Sequence, residues 1–254
     1  NSYTDIFCPM YKGLGFMQEY VKEWRPRPLI LCEYAHMMGN SGGNLKDDWD
    51  LINRYEQLQG GFIWDFSDQT FLKKDKNGRD IWAYGSDMGN VGATSDTSFC
   101  ADGLFTSDRQ PHPQAFELKK VYQPVHFEPV NFSKGTIRIT NRFDFTDLDK
   151  FSFNWYIEAN GKPFLKGDMN KFELAPHQSK EKNINIPTYE PVAGVEYFLT
   201  VEAHVIENSG LMEVGYRIAW EQFKLPGINK NTSVNLTAFS PLTRSEDKHE
   251  VKIS

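Results

Sequence analysis

The run Leu29-Ile30-Leu31-Cys32, closed by Glu33, decides the fold of the first half of the chain. Four apolar residues without alternation read as a strand buried on both faces, the pattern of a parallel sheet. Upstream, Asp5-Ile6-Phe7-Cys8 reads as another strand, followed by a helix over about Phe16 to Trp24 that Pro26 and Pro28 stop. Downstream, a helix is expected from about Ser41 to Leu58, with Leu45, Trp49, Ile52 and Tyr55 on one stripe. Gly60-Gly61 punctuates it, and Phe62-Ile63-Trp64 forms a third strand. The stretch from Asp68 to Thr106, rich in Gly, Asp, Asn and Ser, is expected to be irregular. A last helix runs from Pro113, suited to a first turn, to Gln123, before Pro124. Strands alternating with helices define an α/β fold. A closed eightfold barrel needs ~250 residues. Residues 1–125 with three strands are therefore a small open sheet or part of a barrel.

Beyond residue 125 the period changes. Gly135-Thr-Ile-Arg-Ile-Thr140 and Phe151-Ser-Phe-Asn-Trp-Tyr-Ile157 alternate with period two, and Asn160-Gly161 is a hairpin turn signal. Val195 to Val205 and Val214 to Phe223 add long strands. Many strands with no helical stretch predict an immunoglobulin-like β-sandwich over residues 126–225. Residues 226–254 read as a linker and the start of a further β domain. Trp155 shares a strand face with Phe151, Phe153 and Ile157, which places it in the core.

Composition narrows the function classes. A net charge of −6 argues against a nucleic-acid partner, which selects for basic patches. No apolar run approaches the ~18 residues of a membrane span. The 14% aromatic share points weakly to carbohydrate, whose apolar faces stack on rings. Asn1 to Asp5 carry no leader pattern, an observation of little weight in a chain that does not begin with Met. Cys8, Cys32 and Cys100 are odd in number, lack metal spacing and read as buried free thiols. The protein is expected to be soluble, with the compartment open between cytoplasm and periplasm.

Glu33 is the first candidate for chemistry. A carboxylate at the carboxyl end of a buried parallel strand stands where α/β barrels carry catalytic groups. The plainer reading is a strand-end Glu that meets solvent or an Arg. Asp65 occupies the equivalent place after Phe62-Ile63-Trp64. Retaining glycosidases hold two carboxyl groups ~5–5.5 Å apart, so Glu33 and Asp65 form a conceivable pair. Asp65 reads equally as a backbone-bonding residue. Trp64 serves either the wall or a sugar face, and Tyr11 and His36 fall at the same rim. Gly39, Gly42 and Gly43 lack the pattern of a phosphate loop.

Pro28-Leu-Ile-Leu-Cys-Glu-Tyr-Ala-His-Met-Met-Gly-Asn-Ser41 closely resembles the nucleophile segment of the large family 2 β-galactosidases. So do Leu58-Gln-Gly-Gly-Phe-Ile-Trp-Asp65, Ala83-Tyr-Gly-Ser-Asp87, Phe99-Cys-Ala-Asp-Gly-Leu104 and Asp108-Arg-Gln-Pro-His-Pro113, in family order. The resemblance implies the C-terminal portion of a (β/α)8 TIM barrel followed by the sandwich. It implies that Glu33 is the nucleophile and Tyr11 its neighbouring tyrosine. His36 matches a histidine that acts on a galactose hydroxyl, and Trp64 a tryptophan lining the sugar. Phe99 matches a residue whose carbonyl binds sodium and whose ring moves with substrate. Asp102 falls where the family has a sodium-binding Asn, a departure that still offers the cation an oxygen.

The resemblance also implies an absence. The family's acid/base Glu, and most ligands of its magnesium ion, lie on segments upstream of the first strand here. The expected activity is retaining hydrolysis of terminal β-D-galactosides by the parent enzyme, an expected homo-oligomer. This chain alone is expected to be nearly inactive. Two alternatives stand beside it: a β-glucuronidase or β-mannosidase of the same family, and a non-catalytic carbohydrate-binding or scaffolding piece.

Overall fold

A computed structural model describes residues 3–88, 99–131, 135–227 and 242–253. The chain divides into two compact units, Asn1–Pro124 and Val125–Ser254.

The first unit is organised by a parallel backbone ladder. Helix α1 (Leu14–Tyr20) precedes strand β1 (Leu29–Tyr34); helix α2 (Leu45–Ile52) leads to strand β2 (Leu58–Ile63). β1 and β2 pair in parallel, with Leu31 opposite Gly61 and Tyr34 opposite Ile63. The expected strand at Asp5–Cys8 is instead a row of isolated pairings that starts later and runs to Tyr11. Ile30 N–H donates to Phe7 O at 3.0 Å, Cys32 N–H to Pro9 O at 3.1 Å and Tyr11 N–H to Glu33 O at 2.8 Å. Pro9 interrupts the row because it has no N–H to give. On the other side, Asp65 to Asp68 runs parallel to Asp102–Phe105, with Leu104 N–H donating to Asp65 O at 3.0 Å and Phe105 N–H to Phe66 O at 3.1 Å.

Several expectations are corrected by local physics. α2 is eight residues long rather than spanning Ser41 to Leu58. Asn44 takes φ 64° at its start, and Ser41 Oγ donates to the His36 and Met38 carbonyls at 2.6 Å, which holds 41–44 in a loop. Gly60 and Gly61 lie within β2 rather than ahead of it. A Cβ on Gly61 would sit 2.8 Å from Leu31 Cβ and 2.9 Å from the Tyr34 ring, so glycine is what lets these strands pack. The stretch after Asp68 contains a hairpin, β3 (Phe71–Lys74) with β4 (Asp80–Ala83); residues 89–98 of it lie outside the described residues. Helix α3 (Pro113–Val121) opens on its proline.

Leu29 and Leu31 are buried, whereas Ile30 and Cys32 on the opposite face are half-buried. The described apolar cluster, made of Met17, Tyr20, Leu45, Leu51, Ile52 and Leu58 with β1, thus covers one face rather than both. All three cysteines are free thiols, but Cys8 is exposed and the others half-buried, because the irregular first row covers little.

The second unit is antiparallel. Strands β5 (Val125–Asn131), β6 (Thr136–Asn141) and β9 (Ser179–Asn183) form one sheet in that order. The other has the order β11 (Arg217–Lys224), β10 (Tyr197–Val205), β7 (Phe151–Ala159), β8 (Lys162–Met169). Phe127, Ile137 and Ile139 from the first sheet share one core with Phe153, Trp155, Ile157, Leu199 and Val201 from the second. Asn160 and Gly161 take φ 47° and 74°, the doubly left-handed turn that matches strand twist between β7 and β8. Residues 228–241, within the expected linker, lie outside the described residues, and β12 (Arg244–Glu246) pairs with β13 (Val251–Ile253) as an exposed hairpin.

Gly61→Ala forces a methyl group between Leu31 and Tyr34. Denaturant unfolding is expected to show a loss of about 1–3 kcal/mol, the usual cost of overpacking; an unchanged midpoint would contradict the close packing of β1 on β2.

Candidate active site

The ladder brings the ends of four rows to one edge. Glu33 sits one residue before the end of β1, and its carbonyl holds the Tyr11 N–H. Both rows then turn sharply, Tyr11 at φ 49° and Ala35 at φ 50°. Such left-handed geometry at non-glycine residues costs energy and marks positions worth examining for function.

The Tyr11 backbone is bonded to Glu33, and the pKa of its hydroxyl is pushed up to about 12. Loss of solvent around the hydroxyl is the main cause; the hydrogen bond to Glu33 and the charges of Glu33, Asp102 and Asp65 add to it. The Tyr11 hydroxyl therefore keeps its proton throughout the neutral range.

His36 lies between two rings, with its centroid 6.1 Å from Tyr11 and 5.6 Å edge-on from Phe99. Its Nε2 is 3.4 Å from Asp102 Oδ2. Asp102 is the unusual group. It is 1% exposed, and neither carboxylate oxygen completes a hydrogen bond. Burial, and then the Asp65 charge, raise its pKa, while His36 and the Trp64 side chain directed at it pull the other way. Trp64 is anchored by its backbone: its N–H donates to Tyr34 O at 3.1 Å and its carbonyl accepts from Met37 N–H at 3.2 Å. A cis peptide joins it to Asp65.

Glu33, Tyr11, His36, Phe99, Asp102 and Trp64 thus form one connected patch at the carboxyl end of the ladder. Asp65 is turned to support. Its Oδ2 accepts from Gln69 Nε2 at 2.5 Å, its N–H donates to Asp102 O at 3.1 Å, and its Oδ1 is buried. Among the described residues no group of three or more His, Cys, Asp or Glu side chains has metal-binding geometry. Sequence reasoning assigned no place to Asp68, Gly103 and His112, which are knotted together behind Asp102. Gly103 and His112 do fall within the blocks Phe99–Leu104 and Asp108–Pro113, whereas Asp68 stands among polar neighbours and carries no signal of its own.

Comparison with known proteins gives the family of the chain. The family described as glycosyl hydrolases family 2, TIM barrel domain, matches residues 1–127, and β-galactosidase domain 4 matches residues 137–226. The chain belongs to glycosyl hydrolase family 2. It is 37% identical over 235 residues to a β-galactosidase of Klebsiella pneumoniae, covering 88% of this chain and 22% of that protein. It is 34% identical over 252 residues to one of Priestia megaterium, covering 99% and 24%. The chain therefore spans less than a quarter of the length of these relatives. A solved Bacteroides uniformis β-glucuronidase matches over 89% of this chain and 26% of its own, at 12% identity and a TM-score of 0.22, too distant to inform the site.

The raised Tyr11 pKa has a measurable sign. In a spectrophotometric titration, Tyr11→Phe should remove an ionisation near pH 12 and leave the change around pH 10 intact. Loss of an ordinary tyrosine step near pH 10 would contradict this shift.

Proposed function

We propose that Glu33 is the nucleophile of a retaining β-galactosidase and that these 254 residues hold it without its general acid. The observation that carries this reading is Tyr11, bonded through its backbone to Glu33, meeting His36 and Phe99 at the carboxyl end of β1. The relatives' names supply the substrate class, terminal β-galactosides.

The Glu33 carboxylate attacks C1 of the galactoside, the bond from C1 to the leaving oxygen breaks, and a galactosyl ester forms on Glu33. Water then attacks C1 and gives up a proton to solvent, the ester bond breaks with its electron pair returning to the Glu33 carboxylate, and galactose leaves with its configuration retained. Tyr11 orients the carboxylate and shares its charge as it returns. Trp64 offers a face, 38% exposed, to the apolar side of the sugar. His36 is placed to hydrogen-bond a sugar hydroxyl, and the exposed Phe99 ring to close against it.

The first step needs a proton on the leaving oxygen. Asp65 Oδ2 accepts from Gln69 while its Oδ1 is buried without a partner, and we assign it no proton-transfer role. The relatives are some four times longer, and the acid belongs to residues outside this span. The buried, unpaired oxygens of Asp102 suit a monovalent cation, and together with the Phe99 carbonyl they would hold a sodium ion. When bound, the ion would neutralise the buried charge. We read the second unit as immunoglobulin-like: three strands face four around one core, with β8 paired to β7. We place domain limits near residues 125 and 225.

Leaving-group dependence tests this. The chain should hydrolyse 2,4-dinitrophenyl β-galactoside, whose leaving group needs no acid, and lose this in Glu33→Gln. Lactose should react slower than with a complete enzyme by about 10²–10⁴-fold, the usual contribution of general acid catalysis. Equal turnover by Glu33→Gln would refute the nucleophile, and efficient lactose hydrolysis would show that an acid lies within the chain.

A further inference from the structure

Asp68 has no place in the reaction outlined above, yet both oxygens of its side chain are bonded behind the site. Oδ1 accepts the Gly103 N–H at 2.9 Å, and Oδ2 lies 3.0 Å from His112 Nε2. Its backbone adds two bonds: the N–H donates to Phe105 O at 2.8 Å and the carbonyl accepts from Ser107 Oγ at 2.6 Å. The side chain is 14% exposed. Gly103 is pressed against the same place, since a Cβ there would lie 2.2 Å from Asp68 N and Ser67 C. Only a glycine can approach so closely, and only an acceptor at Asp68 Oδ1 satisfies the amide it brings.

Gly103 directly follows Asp102. Where the Gly103 amide is fixed, the Asp102 carboxylate is fixed too, and it faces His36 Nε2 and the Trp64 side chain. The Asp102 oxygens complete no hydrogen bond and reach His36 only at 3.4 Å, so the backbone carries most of the hold on this carboxylate.

We infer that Asp68 is a positioning residue for the sugar site: by clamping the Gly103 amide, with His112 bracing its second oxygen, it holds Asp102 in register with His36 and Trp64. Its role in turnover rests on the Glu33 reading; its role as a clamp does not.

The test uses the whole chain and three variants. Asp68→Asn keeps an Oδ1 acceptor for Gly103 and offers His112 an N–H. Asp68→Ala removes both, with Asp68→Ser as a replacement if that variant does not fold. On 2,4-dinitrophenyl β-galactoside, Asp68→Ala should lower kcat/KM by at least about tenfold, as small misplacements of aligned groups do. Asp68→Asn should stay within about threefold of the wild type. Turnover retained in Asp68→Ala, or lost equally in Asp68→Asn, overturns the proposal. If the wild-type chain shows no Glu33-dependent turnover, the Glu33 reading fails and the clamp is judged separately. Asp68→Ala should then shift the Trp64 indole N–H resonance and speed Gly103 amide exchange, with Asp68→Asn near wild type. No shift in Asp68→Ala, or an equal shift in both variants, overturns the clamp.

Discussion

The parallel hydrogen-bond ladder from Phe7 across β1 and β2 to Phe105 is the constraint on which the site depends. Parallel pairing fixes neighbouring rows in register through backbone groups alone, whatever side chains they carry. That register sets Tyr11 beside Glu33, Trp64 beside Tyr34, and Asp102 beside Asp65. Each of these pairs joins a residue facing the site to a neighbouring row, so the geometry of the patch is a property of the sheet. The loops that follow each row can then be irregular without blurring it. The left-handed turns at Tyr11 and Ala35 occur where the ladder ends, and they aim side chains that an extended strand would carry past the site.

Electrostatics then sort carboxylates of the same chemical type into different roles. Glu33 lies near the end of β1 beside Tyr11, whose pKa its charge helps to raise. Asp65 is held by Gln69, and Asp102 is buried without a completed hydrogen bond, so its charge is disfavoured. Asp68 is occupied by an amide and an imidazole. Of these four, Glu33 alone lies within β1 near its carboxyl end.

Strand β1 was legible because an uninterrupted apolar run ending in Glu has few other readings, and the sandwich strands because they alternate. Trp155 lies in the core at 4% exposed, as its strand face required. Other elements were hidden for physical reasons. Gly60-Gly61 resembles a break, yet belongs to β2 because Leu31 and Tyr34 fill the space that side chains would need. Ser179–Asn183 is polar and almost wholly exposed, so β9 carries no alternation and exists because β6 offers it an edge. Asp102–Phe105 is too short and polar to announce a strand row. Within the site, Glu33 could be singled out by pattern, but its partners Tyr11, His36, Phe99 and Asp102 come from turns and loops. Strand-end position put Tyr11 and His36 at one rim with Glu33, but their meeting with Phe99 and Asp102 is a tertiary fact that pattern alone does not carry.

The central claim is that Glu33 attacks the sugar, and trapping that bond tests it most directly. Incubating the chain with an activated 2-deoxy-2-fluoro-β-galactoside, then digesting it and sequencing the peptides by mass spectrometry, would locate any galactosyl ester. The account predicts one fluorogalactosyl group on Glu33, absent from Glu33→Gln. A label on Asp65, or on Asp102, or an equal label in Glu33→Gln would contradict it.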